Sequence, residues 1–270
     1  MNEKANFRVV YRVSDKGHNA HKLRLPNATK RACLLNAVEQ FGRENFHVIA
    51  DNCSEELIDF IKSEGLDFEE THLGNSQSFK YALTHAVNTY SDDDIVYLLE
   101  DDYLHLPDSK QLITEGLEIA DYVSLYDHPD QYKTGTLRLR GAAPLNRFGL
   151  HRWRVFLTAN SHWREAPTTT MTFASRVKTL KEDYRILMRN PDGGIPDDFG
   201  MFLTLTKQRS PIDAVRVLPK LKPAMTILLN NFAPFRKKRL LLVSIPGRAT
   251  HCEQKYLSPL TDWTKIQRLN

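Results

Sequence analysis

Two clusters of carboxylates flank one apolar stretch of the chain. Residues 92–94 (DDD) precede the run at 95–99 (IVYLL), and residues 100–102 (EDD) follow it. Packed carboxylates repel one another and raise each other's pKa unless a cation neutralises them. Mg²⁺ and Mn²⁺ do so with oxygen ligands, usually bridge to phosphate oxygens of a substrate, and stabilise charge on a departing diphosphate. The acidic residues therefore indicate metal-assisted chemistry on a phosphorylated compound.

The elements that would position these acids alternate between strands and helices. Strands are predicted at residues 7–13, 46–50, 68–73 and 95–99, and helices at residues 27–41, 54–63 and about 76–90. This alternation predicts an α/β fold with a mostly parallel central sheet, right-handed crossovers and flanking helices.

The acids fall at one edge of that sheet. Asp15 follows the first strand, Asp51 follows the second, and residues 100–102 follow the strand at 95–99. Because ligands of open α/β sheets bind outside the carboxyl ends of the strands, we expect these groups to share one crevice. Residues 92–94 lie at the opposite edge and are expected to form a solvated turn.

The regular alternation ends near residue 126. A strand is predicted at 122–126, and a long loop at 127–147, where glycine and proline break any periodicity. Beyond it, strands are predicted at 153–163 and 168–173, and helices at 176–188 and 197–206. Long loops in compact domains often carry function.

Composition limits the class of protein. Apolar residues make up 41% of the chain and charged residues 26%, an ordinary balance for a soluble globular protein. No stretch approaches the roughly 20 apolar residues needed to span a bilayer. The three cysteines, Cys33, Cys53 and Cys252, include no C-x-x-C pair. We therefore expect a protein of a reducing compartment, located in the cytoplasm.

Residues 94–103 (DIVYLLEDDY) resemble the DXD-bearing strand end of GT-A fold glycosyltransferases. The first two strand ends, at 12–15 (RVSD) and 50–52 (ADN), are similar to positions that hold the nucleoside in that family. Residues 74–80 (GNSQSFK) are similar to its loop and helix start near the ribose and diphosphate, and a helix N-terminus with a lysine suits phosphate in its own right. The resemblance implies donor binding by Arg12, Asp15, Asp51, Ser76, Lys80, Asp101 and Arg248.

Two later segments extend the resemblance. Residues 195–200 (IPDDFG) resemble the acidic helix start that supplies the general base in inverting members, which implies Asp197 or Asp198 as the catalytic base. Residues 246–252 (PGRATHC) resemble a late segment that returns a histidine to the metal. The resemblance thus implies an Mn²⁺ or Mg²⁺ ion bound by Glu100, Asp102 and His251.

The resemblance also implies the organisation of the whole chain. It predicts a single GT-A-like domain at 1–270, with a nucleotide-binding half at 1–126 and an acceptor-binding half with a C-terminal extension at 127–270. The implied donor is a nucleotide-diphosphate sugar. The implied acceptor is a hydroxyl of a glycan or lipid-linked molecule, which leaves a peripheral position at a membrane surface open.

Two other functions compete with this one. A nucleotidyltransferase also uses a metal and a nucleotide, but usually carries a Gly-rich loop after the first strand, and residues 14–24 contain Gly17 alone. A glycan- or nucleic-acid-binding module would use the basic segment at 207–248, which contains a single acid, Asp213. That segment would otherwise be a solvated surface. Because acids at three strand ends repel phosphate without a metal, we expect no nucleic-acid partner.

The proposed catalytic residues also have structural alternatives. An aspartate at a helix start is a favoured N-cap, so Asp197 or Asp198 would serve that purpose without catalysis. His251 would be an ordinary surface or core histidine.

Overall fold

A nine-stranded mixed sheet forms the centre of the protein, and a two-stranded sheet lies beside it. The computed structural model describes residues 5–16, 24–132, 154–189, 197–207 and 237–266. The strands are β1 (Phe7–Val13), β2 (Phe46–Asp51), β3 (Asp67–Thr71), β4 (Ile95–Glu100), β5 (Tyr103–His105), β6 (Tyr122–Ser124), β7 (Val155–Leu157), β8 (His162–Glu165), β9 (Phe173–Arg176), β10 (Leu241–Ile245) and β11 (Ala249–His251). The helices are α1 (Lys30–Phe41), α2 (Glu55–Ser63), α3 (Asn75–Thr89), α4 (Ser109–Ile119), α5 (Val177–Arg189) and α6 (Asp198–Leu205).

The first half of the main sheet is parallel, as the alternation of elements predicts. The strand order is β3-β2-β1-β4-β9-β6-β10-β8-β7. Strands β2 and β4 both pair in parallel with β1, and β3 pairs in parallel with β2. The apolar residues of β4 are all buried, as expected for a strand covered on both faces. The carboxyl ends of β1, β2 and β4 consequently meet at one edge.

The second half of the sheet departs from the parallel pattern. Strand β9 lies between β4 and β6 and is antiparallel to both. On the far side of the sheet, β8 pairs in antiparallel orientation with β10, and β7 pairs in antiparallel orientation with β8. The strand predicted at 153–163 is wrong as a single element, because a turn between Thr158 and Ser161 divides it into β7 and β8. The strand predicted at 168–173 begins at Phe173 instead.

The helix boundaries follow from their caps. Helix α1 begins after Thr29, whose hydroxyl accepts a hydrogen bond from the Ala32 N–H, three residues later than predicted. It ends at Gly42, which has a φ of 84° that favours glycine. Ser54 caps α2 in the predicted manner.

The turn at 92–94 is only partly solvated. Asp92 and Asp93 are exposed, but Asp94 is buried and its Oδ1 accepts a 2.8 Å hydrogen bond from the Asn6 N–H. The Asp94 carbonyl also accepts from the N–H of Val177. The turn therefore anchors the starts of β1 and α5, which the expectation of a fully solvated turn missed.

Apolar clusters cover both faces of the main sheet. One contains side chains of α1, α2 and α4, and the other contains side chains of α3, α5 and α6. A third, smaller cluster joins Cys33 of α1 to Cys252 and Trp263 and so holds the C-terminal segment against α1. In the described residues, no helix combines the length and apolarity that a membrane crossing demands.

Candidate functional site

The acidic residues at 100–102, which end and follow β4, lie at the carboxyl edge of the sheet, and the first two are paired with cations. The Arg12 guanidinium donates to Glu100 Oε1 at 2.9 Å. Lys30, in the first turn of α1, pairs with Asp101, whose other oxygen accepts a 2.7 Å hydrogen bond from the Ser14 N–H. Burial raises the pKa of Glu100, and the charge of Arg12 opposes this shift.

Asp102 is paired with the histidine that the sequence assigns to the metal. Strand β11 pairs with β5 in antiparallel register, with His251 opposite Tyr103. This register places His251 Nε2 3.3 Å from Asp102 Oδ2, and an Arg24 nitrogen lies at the same distance from that oxygen. Two segments distant in sequence are therefore joined at one carboxylate.

The charges in this pair shift both pKa values. Burial acts to raise the pKa of Asp102, but the charges of His251, Lys30 and Arg24 hold it well below its usual range. Burial likewise acts to lower the pKa of His251, but Asp102 and Glu100 outweigh it and raise that pKa. The pair therefore stays ionised to a higher pH than an isolated histidine would.

Asp102 and His251 suit a divalent metal, whereas Glu100 does not complete the set. A carboxylate oxygen and an imidazole nitrogen 3.3 Å apart are close enough to bind one ion. Glu100 is directed to Arg12 instead. Among the described residues, the one group of three side chains with ligand atoms within 4.8 Å of one another lies elsewhere, at His47, Glu69 and His85. A metal at Asp102 and His251 would take its remaining ligands from water or phosphate oxygens.

Arg12 is a buried connection between three elements. Its guanidinium donates to Glu100 of β4, to the carbonyl and side-chain oxygens of Asn75 at 3.1 and 3.2 Å, and to the Ser78 hydroxyl at 3.1 Å. The side chain is 6% exposed. Arg12 thus fixes the N-terminus of α3 relative to the acidic residues.

The first turns of α3 carry the two predicted phosphate-binding residues. The helix follows Gly74, which has a φ of 80° and provides no side-chain cap. Ser76 is buried in the first turn and Lys80 is half-buried in the second. The N–H groups of the first turn lie at the carboxyl edge of the sheet, where they favour an anion.

The two remaining strand-end acids lie at the predicted edge and hold loops there. Asp51 is buried, and its carboxylate accepts hydrogen bonds from the N–H groups of Leu73 and Gly74 at 2.6 and 2.9 Å and from the Thr71 hydroxyl at 2.9 Å. Asp15 is exposed and accepts a 2.8 Å hydrogen bond from the N–H of Ser54, the residue that caps α2.

Arg248 lies between β10 and β11, and its guanidinium donates to the Pro107 carbonyl at 2.6 Å. Its backbone N–H donates to the carbonyl of Leu125. These bonds attach the turn before His251 to the ends of β5 and β6.

A cavity of about 330 Å³ is lined by Asp198. Its wall includes Tyr126, whose ring lies 6.4 Å from that of His251, and Thr170, whose hydroxyl accepts a 2.9 Å hydrogen bond from Tyr103. The charge of Asp198 also contributes to the raised pKa of Glu100. Two residues of the cavity wall, Tyr126 and Thr170, therefore connect it to His251 and Tyr103.

The two adjacent aspartates of α6 differ in environment. Asp197 is exposed and is the N-cap, since its Oδ1 accepts a 2.8 Å hydrogen bond from the Gly200 N–H. Asp198 is half-buried at the cavity, and burial raises its pKa to about 6, with a further contribution from the charge of Asp197. His128, which also lines the cavity, acts in the opposite direction.

Four residues of this site were not identified from the sequence. Lys30 and Arg24 neutralise the acidic residues, and His128 and Thr170 line the cavity. The position of Lys30 in the first turn of α1, directly after the Thr29 cap, is the one available signal. The other three residues reach the site only because the fold brings distant parts of the chain together. No local sequence pattern identifies them.

Several other sequence interpretations concern residues outside the described part of the chain. These are most of the loop at 127–147 and the greater part of the basic segment at 207–248, of which residues 207 and 237–248 are described.

Comparisons with known proteins bear on the fold. No protein-family profile matches the chain, and no curated protein matches it either. Among solved structures it is similar to GalNAc-T7 with UDP, GalNAc and Mn²⁺, at a TM-score of 0.52 and 11% identity, over 91% of this chain and 43% of that one. The chain thus spans less than half the length of that protein.

Two further likenesses are weaker. A CMP:2-keto-3-deoxy-manno-octonic acid synthetase complexed with CTP matches at a TM-score of 0.44 and 12% identity, over 90% of this chain and 92% of that one. Glucosyl-3-phosphoglycerate synthase from Mycobacterium tuberculosis, with Mg²⁺ and uridine-diphosphate, matches at 0.38 and 11%, over 85% and 80%. Both scores are too low to bear on function. The order of the sheet and the match to GalNAc-T7 confirm the predicted fold, and the chain has the fold of the GT-A glycosyltransferases.

Proposed function

We propose that this protein is a metal-dependent glycosyltransferase that moves a sugar from a nucleotide-diphosphate donor to an acceptor hydroxyl with inversion. One observation carries the proposal: the Asp102–His251 pair lies at the carboxyl edge of the sheet, and the Tyr126 ring connects it to a cavity lined by a carboxylate with a raised pKa. In this proposal the Asp102–His251 pair binds the metal that contacts the donor phosphates, and Asp198 accepts the proton of the acceptor.

The proposed donor site extends from the Asp102–His251 pair to the start of α3. Mn²⁺ or Mg²⁺ held by Asp102 and His251 would stabilise negative charge on the departing diphosphate. The N-terminus of α3, with Ser76 and Lys80, would receive the diphosphate. Arg24 pairs with Asp102 in this structure, and a donor phosphate would offer its guanidinium a second anionic partner.

The other predicted donor residues are proposed to shape this pocket. Arg12 and Asp101 fix the edge of β4, and Asp51 holds the loop before α3. Asp15 holds the start of α2, and Arg248 holds the turn before β11. Each of these five side chains is engaged with protein groups, so their contribution to donor binding is through the position of backbone and neighbouring side chains.

The proposed reaction uses Asp198 as the general base. The acceptor hydroxyl enters the cavity, and its proton passes to the Asp198 carboxylate as its oxygen bonds to the anomeric carbon. The bond between that carbon and the diphosphate oxygen breaks, and the diphosphate leaves with the electron pair. Asp197 caps α6 and so fixes the start of the helix that presents Asp198.

Release of nucleoside diphosphate from a panel of nucleotide sugars, with and without Mn²⁺, tests this proposal. We expect one donor to be turned over, and Asp102→Asn to lower kcat/KM at least about a hundredfold. Asp93→Asn is the matched control, because it makes the same change of charge in the exposed turn at the other end of β4.

The outcomes separate the candidate functions. If no donor is turned over but pyrophosphate is released from a nucleoside triphosphate and a sugar acid, the protein is a nucleotidyltransferase. Equal activity of Asp102→Asn and wild type would remove the Asp102–His251 pair from the mechanism. If neither reaction occurs, the transferase proposal fails, and glycan binding is the function to test next.

A further inference from the structure

A second group of metal-ligating side chains lies at the opposite edge of the sheet from the acidic residues. His47 is at the start of β2, Glu69 is on β3, and His85 is on α3, with one ligand atom of each within 4.8 Å of the other two. Asp51 ends the same strand four residues after His47, so the two edges are about 13 Å apart. This group therefore takes no part in the proposed transfer site.

His47 is oriented as a ligand. Its Nδ1 lies 2.7 Å from Asp67 Oδ2, and because a carboxylate only accepts, Nδ1 carries the proton. In the neutral ring the lone pair of Nε2 is then free, and among the described residues this buried atom has no hydrogen-bond partner. His47 is 5% exposed. Leaving such an atom without a partner is costly, and a bound cation would satisfy it.

The other two side chains complete the group. Glu69 Oε1 lies 3.7 Å from His47 Nε2, while Glu69 Oε2 accepts a hydrogen bond from the Tyr81 hydroxyl. The His85 ring stacks on that of His47, with centroids 3.8 Å apart and planes inclined by 8°. Because each imidazole lone pair lies in its ring plane, binding one ion through both rings requires the half-buried His85 ring to turn out of this stack, while His47 keeps its hydrogen bond to Asp67.

We propose that His47 Nε2, Glu69 and His85 bind a divalent transition-metal ion, Zn²⁺ by the chemistry of its ligands. Two imidazoles and a carboxylate suit Zn²⁺, with water at the fourth position. The hydrogen bond from His47 to Asp67 is the outer contact that fixes a metal-bound histidine. The ion would tie the middle of α3 to β2 and β3. This site is independent of the proposed glycosyltransferase activity.

Titration of the metal-free protein with Co²⁺, followed by visible absorption, tests the site, with Zn²⁺ then added as competitor. Wild type is expected to show the intense bands of one low-coordinate Co²⁺ site and to lose them to Zn²⁺. His85→Gln and Glu69→Gln are expected to abolish the bands. His162→Gln, a change at an exposed histidine of β8, is expected to leave them unaltered, as is Asp102→Asn, which separates this site from the proposed donor site.

Asp67→Asn provides a finer test, since it retains all three ligands. It is expected to weaken Zn²⁺ binding about 10- to 100-fold, because the carboxylate that accepts from His47 becomes a neutral amide, which is a weaker acceptor. Far-UV circular dichroism and melting without metal establish that each variant is folded. The proposal is overturned if wild type gives no bands at millimolar Co²⁺, or if folded His85→Gln binds as wild type does. Loss of the bands in Asp102→Asn with retention in Glu69→Gln would also overturn it.

Discussion

Replacing Asp198 by Asn removes the proposed proton acceptor while keeping the shape of the side chain. The amide oxygen of Asn can still accept the hydrogen bond that Asp198 Oδ1 receives from the Phe199 N–H at 2.7 Å. The cavity wall is therefore preserved, and the change is confined to the capacity to take a proton from an acceptor. Loss of a positioned general base lowers the rate by about 10²- to 10⁴-fold, which is the expected fall in kcat/KM.

The raised pKa sets the expected pH dependence. Burial raises the pKa of Asp198 to about 6, and the active form is the carboxylate. The ionised fraction rises from about one-tenth at pH 5 to about nine-tenths at pH 7, so kcat/KM should be about tenfold lower at pH 5. An aspartate of ordinary pKa would give almost no fall over that interval. Activity is thus lost as the pH falls through about 6.

The assay is nucleoside diphosphate release as a function of pH, with Asp197→Asn as the matched variant. Asn is also a good N-cap, so α6 should be retained. Because the charge of Asp197 helps to raise the pKa of Asp198, its removal should move the acidic limb to lower pH without lowering the plateau. The reasoning is refuted if Asp198→Asn keeps the wild-type rate, or if Asp197→Asn leaves the acidic limb of the wild type unmoved.

Three further predictions concern stability, each measured by chemical denaturation. Asp102 raises the pKa of His251, so their ion pair stabilises the metal-free fold fully below about pH 6.5, and this stabilisation is lost as the pH rises through the pKa of His251 in the folded protein. The free energy of unfolding should therefore fall over that pH window in wild type and not in His251→Gln. Arg239→Met should lower the free energy of unfolding by about 3–5 kcal/mol, because it leaves Asp183 buried without the guanidinium that donates to it at 2.7 Å. Adding Asp183→Asn to this variant should recover part of the lost stability. Gly116→Ala should lower the free energy of unfolding by about 1–3 kcal/mol, because the new Cβ would lie 2.8 Å from a Val123 methyl carbon and 3.0 Å from the Trp163 ring. An unchanged denaturation midpoint would show that these side chains move aside.

The first half of the fold could be predicted because short stretches of the sequence specify its strands and helices. The cap at Ser54 and the apolar run of β4 mark the elements, and parallel pairing then brings the carboxyl ends of the strands together. The antiparallel insertion of β9 between β4 and β6 could not be predicted. It depends on pairing between residues that lie 51 to 81 positions apart in sequence, and β9 is only four residues long.

The site shows the same division between local and distant information. The acidic residues at 100–102 could be located from the strand before them, but their partners Lys30 and Arg24 come from a different part of the chain. Asp197 and Asp198 could not be distinguished in sequence, since both occupy a helix start. Their burial separates them, because one side chain caps α6 in solvent and the other lines the cavity.

The central claim is that the carboxyl edge of the sheet binds a nucleotide diphosphate with a metal at the Asp102–His251 pair. Isothermal titration of UDP, GDP, CDP and dTDP, with and without Mn²⁺, tests it most directly, in wild type, Asp102→Asn and the Asp93→Asn control. One nucleotide should bind more tightly with Mn²⁺, and Asp102→Asn alone should abolish the effect of the metal. If no nucleotide binds, or if Mn²⁺ acts equally on all three proteins, the claim is contradicted.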